Sequence, residues 1–305
     1  MKVSKEELTN KILKRYELYK LNHSRWQRFL KDPFRSAIYY AMQYLAYIKP
    51  YKVNYTTLWG DKMNFFLPEG GAIYYYGFFE ANLNNFFIKY LQKGDTFVDI
   101  GAHVGFYSKL ASFLLEGTGE IISLEPTPRT FETLRQNMSS DKNARVFNYA
   151  ALDTESTVEF YDYGPKFSAF NSFHERTNDD IYFKNEAHKI SAETVVIDTF
   201  CQKENIKPII IKIDAEGAEH LILQGMRQII HDYAPTITIE VAGESEWKDN
   251  CSQSIDFLLT QGYEMYEIDI NGMLHTHKKK ESYLYDNLVF VHPKHLNRID
   301  QLLVK

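Results

Sequence analysis

From Gly94 to His292 the chain alternates short apolar runs with amphipathic ones, and this alternation constrains the fold more than any other feature. TFVDI (96–100) reads as a strand and GFYSKLASFLL as a helix; EIISLE is a strand and PRTFETLRQNM a helix. ARVFNYAAL (144–152) is a third strand. TVEFYDY and AETVVIDTF flank an irregular polar insert, 163–190. PIIIKID (208–214) is almost wholly apolar, as a strand covered on both faces must be. AEHLILQGMRQIIHDY reads as one helix, TITIEV as a strand, QSIDFLLTQ as a helix, and YEMYEIDI and YDNLVFVH as closing strands. Parallel neighbours need a crossover, so this order predicts an α/β, doubly wound sheet with ligands at the carboxyl ends of its strands.

The first 92 residues have a different texture. Leu8, Ile12, Tyr16 and Tyr19 fall on one helical face. SAIYYAMQYLAYI (36–48) reads as a buried helix stopped by Pro50. The stretch 55–77 reads as a β-hairpin around Gly-Asp and Gly-Gly, and 78–91 as a helix. A mainly helical extension with a hairpin, 1–92, is therefore expected before a domain over 93–305. The net charge of −5 hides a split: residues 1–95 carry 15 Lys+Arg against 8 Asp+Glu, and residues 1–35 carry 10 against 4. Such a basic start suits peripheral contact with an anionic membrane, a homodimer contact, or simply a solvated helix face. No apolar run approaches the ~20 residues of a membrane span. MKVSKEELTNKILKRYELYK is too charged for a secretory leader, so a cytoplasmic location is expected. Cys201 and Cys251 are expected as unpaired thiols.

Residues 98–108, VDIGAHVGFYS, place Asp99 at the carboxyl end of the first strand. Gly101 permits a tight turn, Gly105 a close backbone approach, and the helix that follows offers free N–H groups. A dinucleotide loop would read G-x-G-x-x-G and seat pyrophosphate there. Here the middle glycine is missing and an anion stands beside the turn. Like charges ~4 Å apart repel by about 4 kcal/mol at an effective dielectric near 20. A ligand with cationic centres and a carboxylate, such as S-adenosylmethionine, reverses that sign: Asp99 favours the cation and the helix terminus the carboxylate. The second strand ends at Glu125, placed to accept from both hydroxyls of a ribose.

A second block, IIIKIDAEGAEHLILQGM (209–226), carries Lys212 and Asp214 two apart on a strand, hence on one face. A lysine in so apolar a run needs a counter-ion, and Asp214 or Glu240, ending TITIE, can supply it. A plain buried ion pair, with Glu219 and its neighbours capping a helix, accounts for the same residues.

With both blocks in view, the sequence resembles the FkbM family of S-adenosylmethionine-dependent methyltransferases. The resemblance rests on GDTFVDIGAHVGFYS, LEPTPRTFETLRQN, VIDTF, IIIKIDAEGAEHLILQG, TITIEV and DNLVFVH. The family usually has asparagine where this chain has His103. The resemblance implies a class I, Rossmann-like methyltransferase core of about seven strands, the last antiparallel. It implies O-methylation of a hydroxyl on a sugar, glycan or related small natural product. By the same resemblance Asp99, Gly101 and Gly105 would hold the methionyl end, with Ala102 and His103 of that loop also on the cofactor. Glu125 would take the ribose, and Asn148 to Ala151, Ala150 included, would line the adenine. Asp214 would face the sulfonium and the acceptor.

Methyl transfer is an in-line displacement that rewards alignment, and an alcohol acceptor must also lose a proton. Asp214 and Glu240 are the candidate bases, and Lys212 would hold one of them or steady an oxyanion. Carboxylates ending adjacent strands could ligate Mg²⁺, but no spaced ligand set stands out and a metal is not favoured. His103 and His220 read as outer residues rather than bases. KFSAFNSFHERTN (166–178) mixes polar and ring side chains that suit a sugar-like acceptor, or form a plain surface loop. Three rivals remain: a nicotinamide oxidoreductase on a similar sheet, a catalytically silent methyltransferase-like binding module, and a nucleic-acid methyltransferase. The glycine spacing and Asp99 argue against the first, intact Asp99, Glu125 and Asp214 against the second. The acidic core and the lack of an N/D-P-P-Y-type motif argue against the third, so no nucleic-acid partner is expected.

Overall fold

The computed structural model describes residues 3–19, 24–168, 171–173, 187–242, 248–283 and 285–304. The extension begins with α1 (Lys5–Tyr19), α2 (Arg25–Lys31) and α3 (Pro33–Ile48). Ser24 and Gln27 form a capping box on α2. Asp32 caps α3 by accepting the Arg35 N–H at 3.1 Å, one step before a proline that suits the first helical turn. α1 buries Leu8, Ile12 and Tyr19, the face its spacing predicts.

Two expectations for this region are corrected. The stretch 36–48 is helical but not buried: only Ser36 and Ala46 of α3 are covered. The hairpin is real but lies earlier, pairing β1 (Tyr51–Thr56) with β2 (Lys62–Leu67). The aromatic run after Gly-Gly is instead a helix, α4 (Gly71–Tyr76), ended by Gly77 at φ +88°. Its exposed carbonyls explain the choice: Arg35 donates to the carbonyls of Tyr74 and Tyr75, and Arg15 to that of Tyr76. α5 (Ala81–Tyr90) follows.

The main sheet then builds in the predicted alternation: β3 (Thr96–Ile100), α6 (Phe106–Leu115), β4 (Glu120–Leu124), α7 (Pro128–Met138) and β5 (Ala144–Phe147). The expected third strand is cut at Asn148. Its second part, β6 (Ala150–Leu152), leaves the main sheet and joins β7 (Thr157–Asp162) and β8 (His188–Val196) in a three-stranded one. The cut has a local cause, since the Asn148 amide donates to the carbonyls of Glu125 and Pro126 and turns the chain there. The remaining elements are α8 (Ile197–Glu204), β9 (Ile210–Ile213), α9 (Glu219–Gln224), α10 (Arg227–Tyr233), β10 (Thr236–Ala242), α11 (Lys248–Thr260), β11 (Glu264–Ile268), β12 (Leu274–Thr276) and β13 (Tyr285–Val291). The single helix expected over 218–233 is two, broken at Gly225. A Cβ on Gly225 would lie 2.5 Å from the Leu152 carbonyl oxygen, so β6 packs directly on the break.

The main sheet has eight strands in the order β12-β11-β13-β10-β9-β3-β4-β5. β10, β9, β3, β4 and β5 are parallel, and β13 runs antiparallel between β10 and β11. This is the α/β sheet expected, with its last strand antiparallel, plus one short strand. β12 arises because Asp269 accepts the N–H groups of Asn271 and Met273 and folds the chain back after β11.

Apolar side chains fill both faces. One cluster runs from Leu8 and Ile12 through Met63, Phe87 and Phe97 to Leu110 and Leu302, so extension and sheet share a core. The other packs Val98, Ile211, Ile213, Ile237 and Ile239 under α8 to α11. With its strands covered on both sides, the sheet leaves its carboxyl edge as the place where polar side chains converge.

Candidate active site

β3 runs into the turn Gly101-Ala102-His103-Val104-Gly105 before α6 begins. Gly101 has φ +76°, and a Cβ there would overlap the Asp214 carbonyl oxygen, so the turn after β3 and the end of β9 touch through backbone. Gly105 at φ +84° starts α6 against Leu134. Ala102 donates its N–H to the Leu124 carbonyl, and His103 donates its own to Glu125 Oε2 at 3.0 Å.

The carboxyl edge opens into a cavity of about 440 Å³. On the β4–β5 side it is lined by Glu125, Pro126, Tyr149, Ala150, Phe160 and Phe173. On the β9–β10 side Lys212, Asp214, Glu216, Glu219 and Glu240 line it, with Cys251, a free thiol that burial pushes up to about 11. Gly101, Ala102 and His103 lie between. Asp99, Gly105 and Asn148 are not among the lining residues. Asp99 is 1% exposed beneath the turn, Gly105 begins the helix, and Asn148 clasps the loop after β4. His220 lies off the cavity, against Gln224 and Phe257.

The centre of the site is a charge relay across neighbouring strands. Lys212 pairs in register with Asp99 on β3 and is only 3% exposed. Its ammonium lies 2.9 Å from Asp214 Oδ2, 3.7 Å from Asp99 Oδ1, and 5.1 Å from the centre of the Tyr107 ring. Burial works against its charge, but Asp214 and Asp99 outweigh it and hold the ammonium ionised. Asp99 also accepts a 2.6 Å hydrogen bond from Ser108, yet burial still lifts its carboxyl above the ordinary value. Asp214, at the cavity edge and only partly covered, is also desolvated, but the Lys212 charge and a hydrogen bond from Glu240 bring it below the usual range. Glu240 is raised well above its ordinary value, by burial first and by Asp214 second. Of the two, Glu240 therefore holds its proton to the higher pH and Asp214 is the more readily ionised. Oxygens of Asp214, Glu216 and Glu240 lie within 4.8 Å of one another, a spacing that a divalent cation could bridge and that the proton on Glu240 already relieves.

Glu125 is buried and raised above the ordinary range by that burial, and it accepts the N–H groups of His103 and Thr127. Two accepted bonds leave about half of a carboxylate's four acceptor positions for a ligand.

Several lining or supporting residues were not singled out in the sequence. Glu80, just before α5, accepts from Tyr107 Oη at 2.6 Å and from Asn287 on β13. Glu69 and Ser168 hydrogen-bond to each other, and both reach His103 Nε2, at 3.1 and 2.9 Å. Burial opposes a charge on His103, but Glu69 outweighs it and raises its pKa. The insert, by contrast, reads in the sequence as a stretch that could meet an acceptor, and its Ser168, Asn171 and Phe173 do line the cavity, where Asn171 is held by Thr127. Residues 169, 170 and 174–178 of KFSAFNSFHERTN lie outside the described residues.

The Methyltransferase FkbM domain model matches residues 99–265, more than half of the chain. No curated protein matches in sequence. Among solved structures the chain is similar to methyltransferase FkbM from Methylobacillus flagellatus KT, at 18% identity and a TM-score of 0.43, covering 66% of this chain and 44% of that one. It thus spans less than half the length of that structure. Two others are Aeropyrum pernix fibrillarin with natively bound S-adenosyl-L-methionine (12% identity, TM-score 0.39, 70% of this chain and 76% of that one) and an O-methyltransferase from Bacillus cereus in complex with SAH (11%, 0.40, 69% and 80%). By its family match, which takes in the glycine turn, Glu125, Lys212, Asp214 and Glu240, the chain belongs to the FkbM methyltransferase family.

Proposed function

We propose that the protein is an S-adenosylmethionine-dependent O-methyltransferase acting on a hydroxyl of a sugar, glycan or related small natural product. The observation that carries this reading is the charge of the cavity. Six carboxyl groups line it, from Glu80, Glu125, Asp214, Glu216, Glu219 and Glu240, against the basic side chains of Lys212 and His103, and burial, by raising Glu125, Glu219 and Glu240, trims this acidic excess. Such a wall repels phosphate-rich cofactors and favours a cationic one. Glu125, with acceptor positions to spare, suits the ribose, and Tyr149, Ala150 and Phe173 suit an adenine ring. When bound, S-adenosylmethionine supplies an electrophilic methyl group on a positive sulfur.

The chain's own residues then have defined tasks. Asp214 accepts a hydrogen bond from the acceptor hydroxyl and takes its proton as the oxygen attacks. Protonated Glu240 and Lys212 fix the orientation of Asp214. Asp99 acts through Lys212 and Ser108 as a positioning residue. The insert's Ser168 and Asn171 offer hydrogen bonds to a polar acceptor. The reading needs no metal.

Calorimetric titration with S-adenosylmethionine, S-adenosylhomocysteine and NAD tests it, on the wild type and on Glu125→Ala. Binding of the first two, lost in the variant, supports the cofactor assignment and leads to labelled-methyl transfer onto glycan acceptors. NAD binding alone would overturn it. Binding without transfer to any hydroxyl acceptor favours the silent module.

A further inference from the structure

Helices α2 and α3 present an apolar face that nothing among the described residues covers. On α3, Phe34, Ile38, Leu45 and Ile48 recur at helical spacing with small Ala37 and Ala41 between them, a stripe ~21 Å long at 1.5 Å per residue. On α2, Trp26 and Leu30 stand four apart on a shared face. Trp26, Leu30, Phe34, Tyr44, Leu45 and Ile48 are between 58% and 79% exposed. The fold does not need this face: α3 is held from its other side by Ser36, Ala46, and Gln43 on the Pro68 carbonyl. An exposed apolar helix face of this length marks an interaction site.

Charge identifies the partner. Residues 24–52 hold six Lys+Arg and a single acid, Asp32. Asp32 is engaged within the chain, accepting from Tyr19 Oη and the Arg35 N–H. Exposed Arg25 opens α2 and exposed Lys49 follows α3. We propose that α2 and α3 dock the protein peripherally on an anionic phospholipid bilayer. Apolar and aromatic side chains would enter the headgroup boundary, where tryptophan and tyrosine are favoured, and flanking bases would meet lipid phosphates. A second copy fits less well. Two-fold pairing of this face sets one base-rich segment, with six Lys+Arg against Asp32 over residues 24–52, against its own copy.

The test is sedimentation with phosphatidylcholine vesicles, with and without phosphatidylglycerol. It uses the full chain, Phe34→Ser/Leu45→Ser and Arg25→Gln/Lys49→Gln, each checked for folding by circular dichroism and melting. The wild type is expected to bind only the anionic vesicles, with a blue shift of emission that Trp26→Phe removes. The charge variant should bind about thirtyfold more weakly and the apolar variant not at all. Failure to bind anionic vesicles at low salt overturns the proposal, as does equal binding to neutral ones. A concentration-dependent dimer that Phe34→Ser/Leu45→Ser dissolves would give the face to a second copy instead.

Discussion

Replacing Lys212 by methionine keeps the length and apolar fit of the side chain on β9 but removes the charge between Asp99 and Asp214. The two carboxylates do not suffer equally. The Asp214 side chain is 33% exposed, so water takes over part of what the ammonium supplied and the loss there is screened. Asp99 is 1% exposed, and among the described residues its Oδ1 has no hydrogen-bond partner and only the ammonium at 3.7 Å answers it. Breaking a buried pair from one side costs ~3–5 kcal/mol, and most of it should fall on Asp99. Burial already holds the Asp99 carboxyl above its ordinary value, and loss of Lys212 raises it further. A carboxyl raised in the folded state favours folding fully below its unfolded value, and that contribution is lost as pH rises through the folded value. The deficit of Lys212→Met should therefore be largest at about pH 8 and shrink toward about pH 5. Urea unfolding followed by circular dichroism at both pH values measures it. Adding Asp99→Asn to Lys212→Met should recover at least half of the loss. A cost below ~1 kcal/mol at the higher pH, a cost independent of pH, or simple additivity of the two changes would refute the reasoning.

Glu125→Ala should weaken S-adenosylmethionine binding about a hundredfold, from the loss of two charge-assisted bonds of ~1.5–3 kcal/mol each, offset by what remains of the site; calorimetry reads it. Asp214→Asn should lower kcat for labelled-methyl transfer by roughly 10²–10⁴ while changing cofactor affinity only a few-fold. The Glu240 carboxyl is raised, so its stabilising contribution is lost as pH rises through its folded value. Glu240→Gln keeps a donor to Asp214, and its melting temperature should fall less than that of the wild type between neutral and alkaline pH; parallel curves would contradict the proton held on Glu240. Gly101→Ala forces a Cβ into the Asp214 carbonyl oxygen at positive φ and should cost more than ~1 kcal/mol, read by thermal melting, whereas Gly94→Ala at φ +89° meets open space and should cost less.

The sheet was legible because each parallel strand and crossover helix writes its own period into the sequence. The spacing of two puts Lys212 and Asp214 on one face and leaves Asp214 or Glu240 as the counter-ion; the structure pairs Lys212 with Asp214, one residue past the end of β9. What escaped depends on contacts distant in the chain. The break at Gly225 exists because β6 packs on it, and β6 exists because Asn148 turns the third strand. The outward face of α3 misled for another reason: an apolar helix looks alike whether the fold or a partner covers it. Glu80 gave no signal, since a lone acid in an aromatic run reads as a helix start, and its partners Tyr107 and Asn287 lie 27 and 207 residues away.

The wall of the cavity draws on more than the family match. The glycine turn, Glu125, Lys212, Asp214 and Glu240 all fall within residues 99–265, whereas Glu69, Phe79 and Glu80 precede that span and Asn287 follows it. Exchanging 99–265 between two members would transplant the first set as a unit and leave the second behind. The transplanted turn would then meet a foreign Glu80 and Glu69 at Tyr107 and His103, so such a chimaera tests how closely the outer residues must match the site they hold.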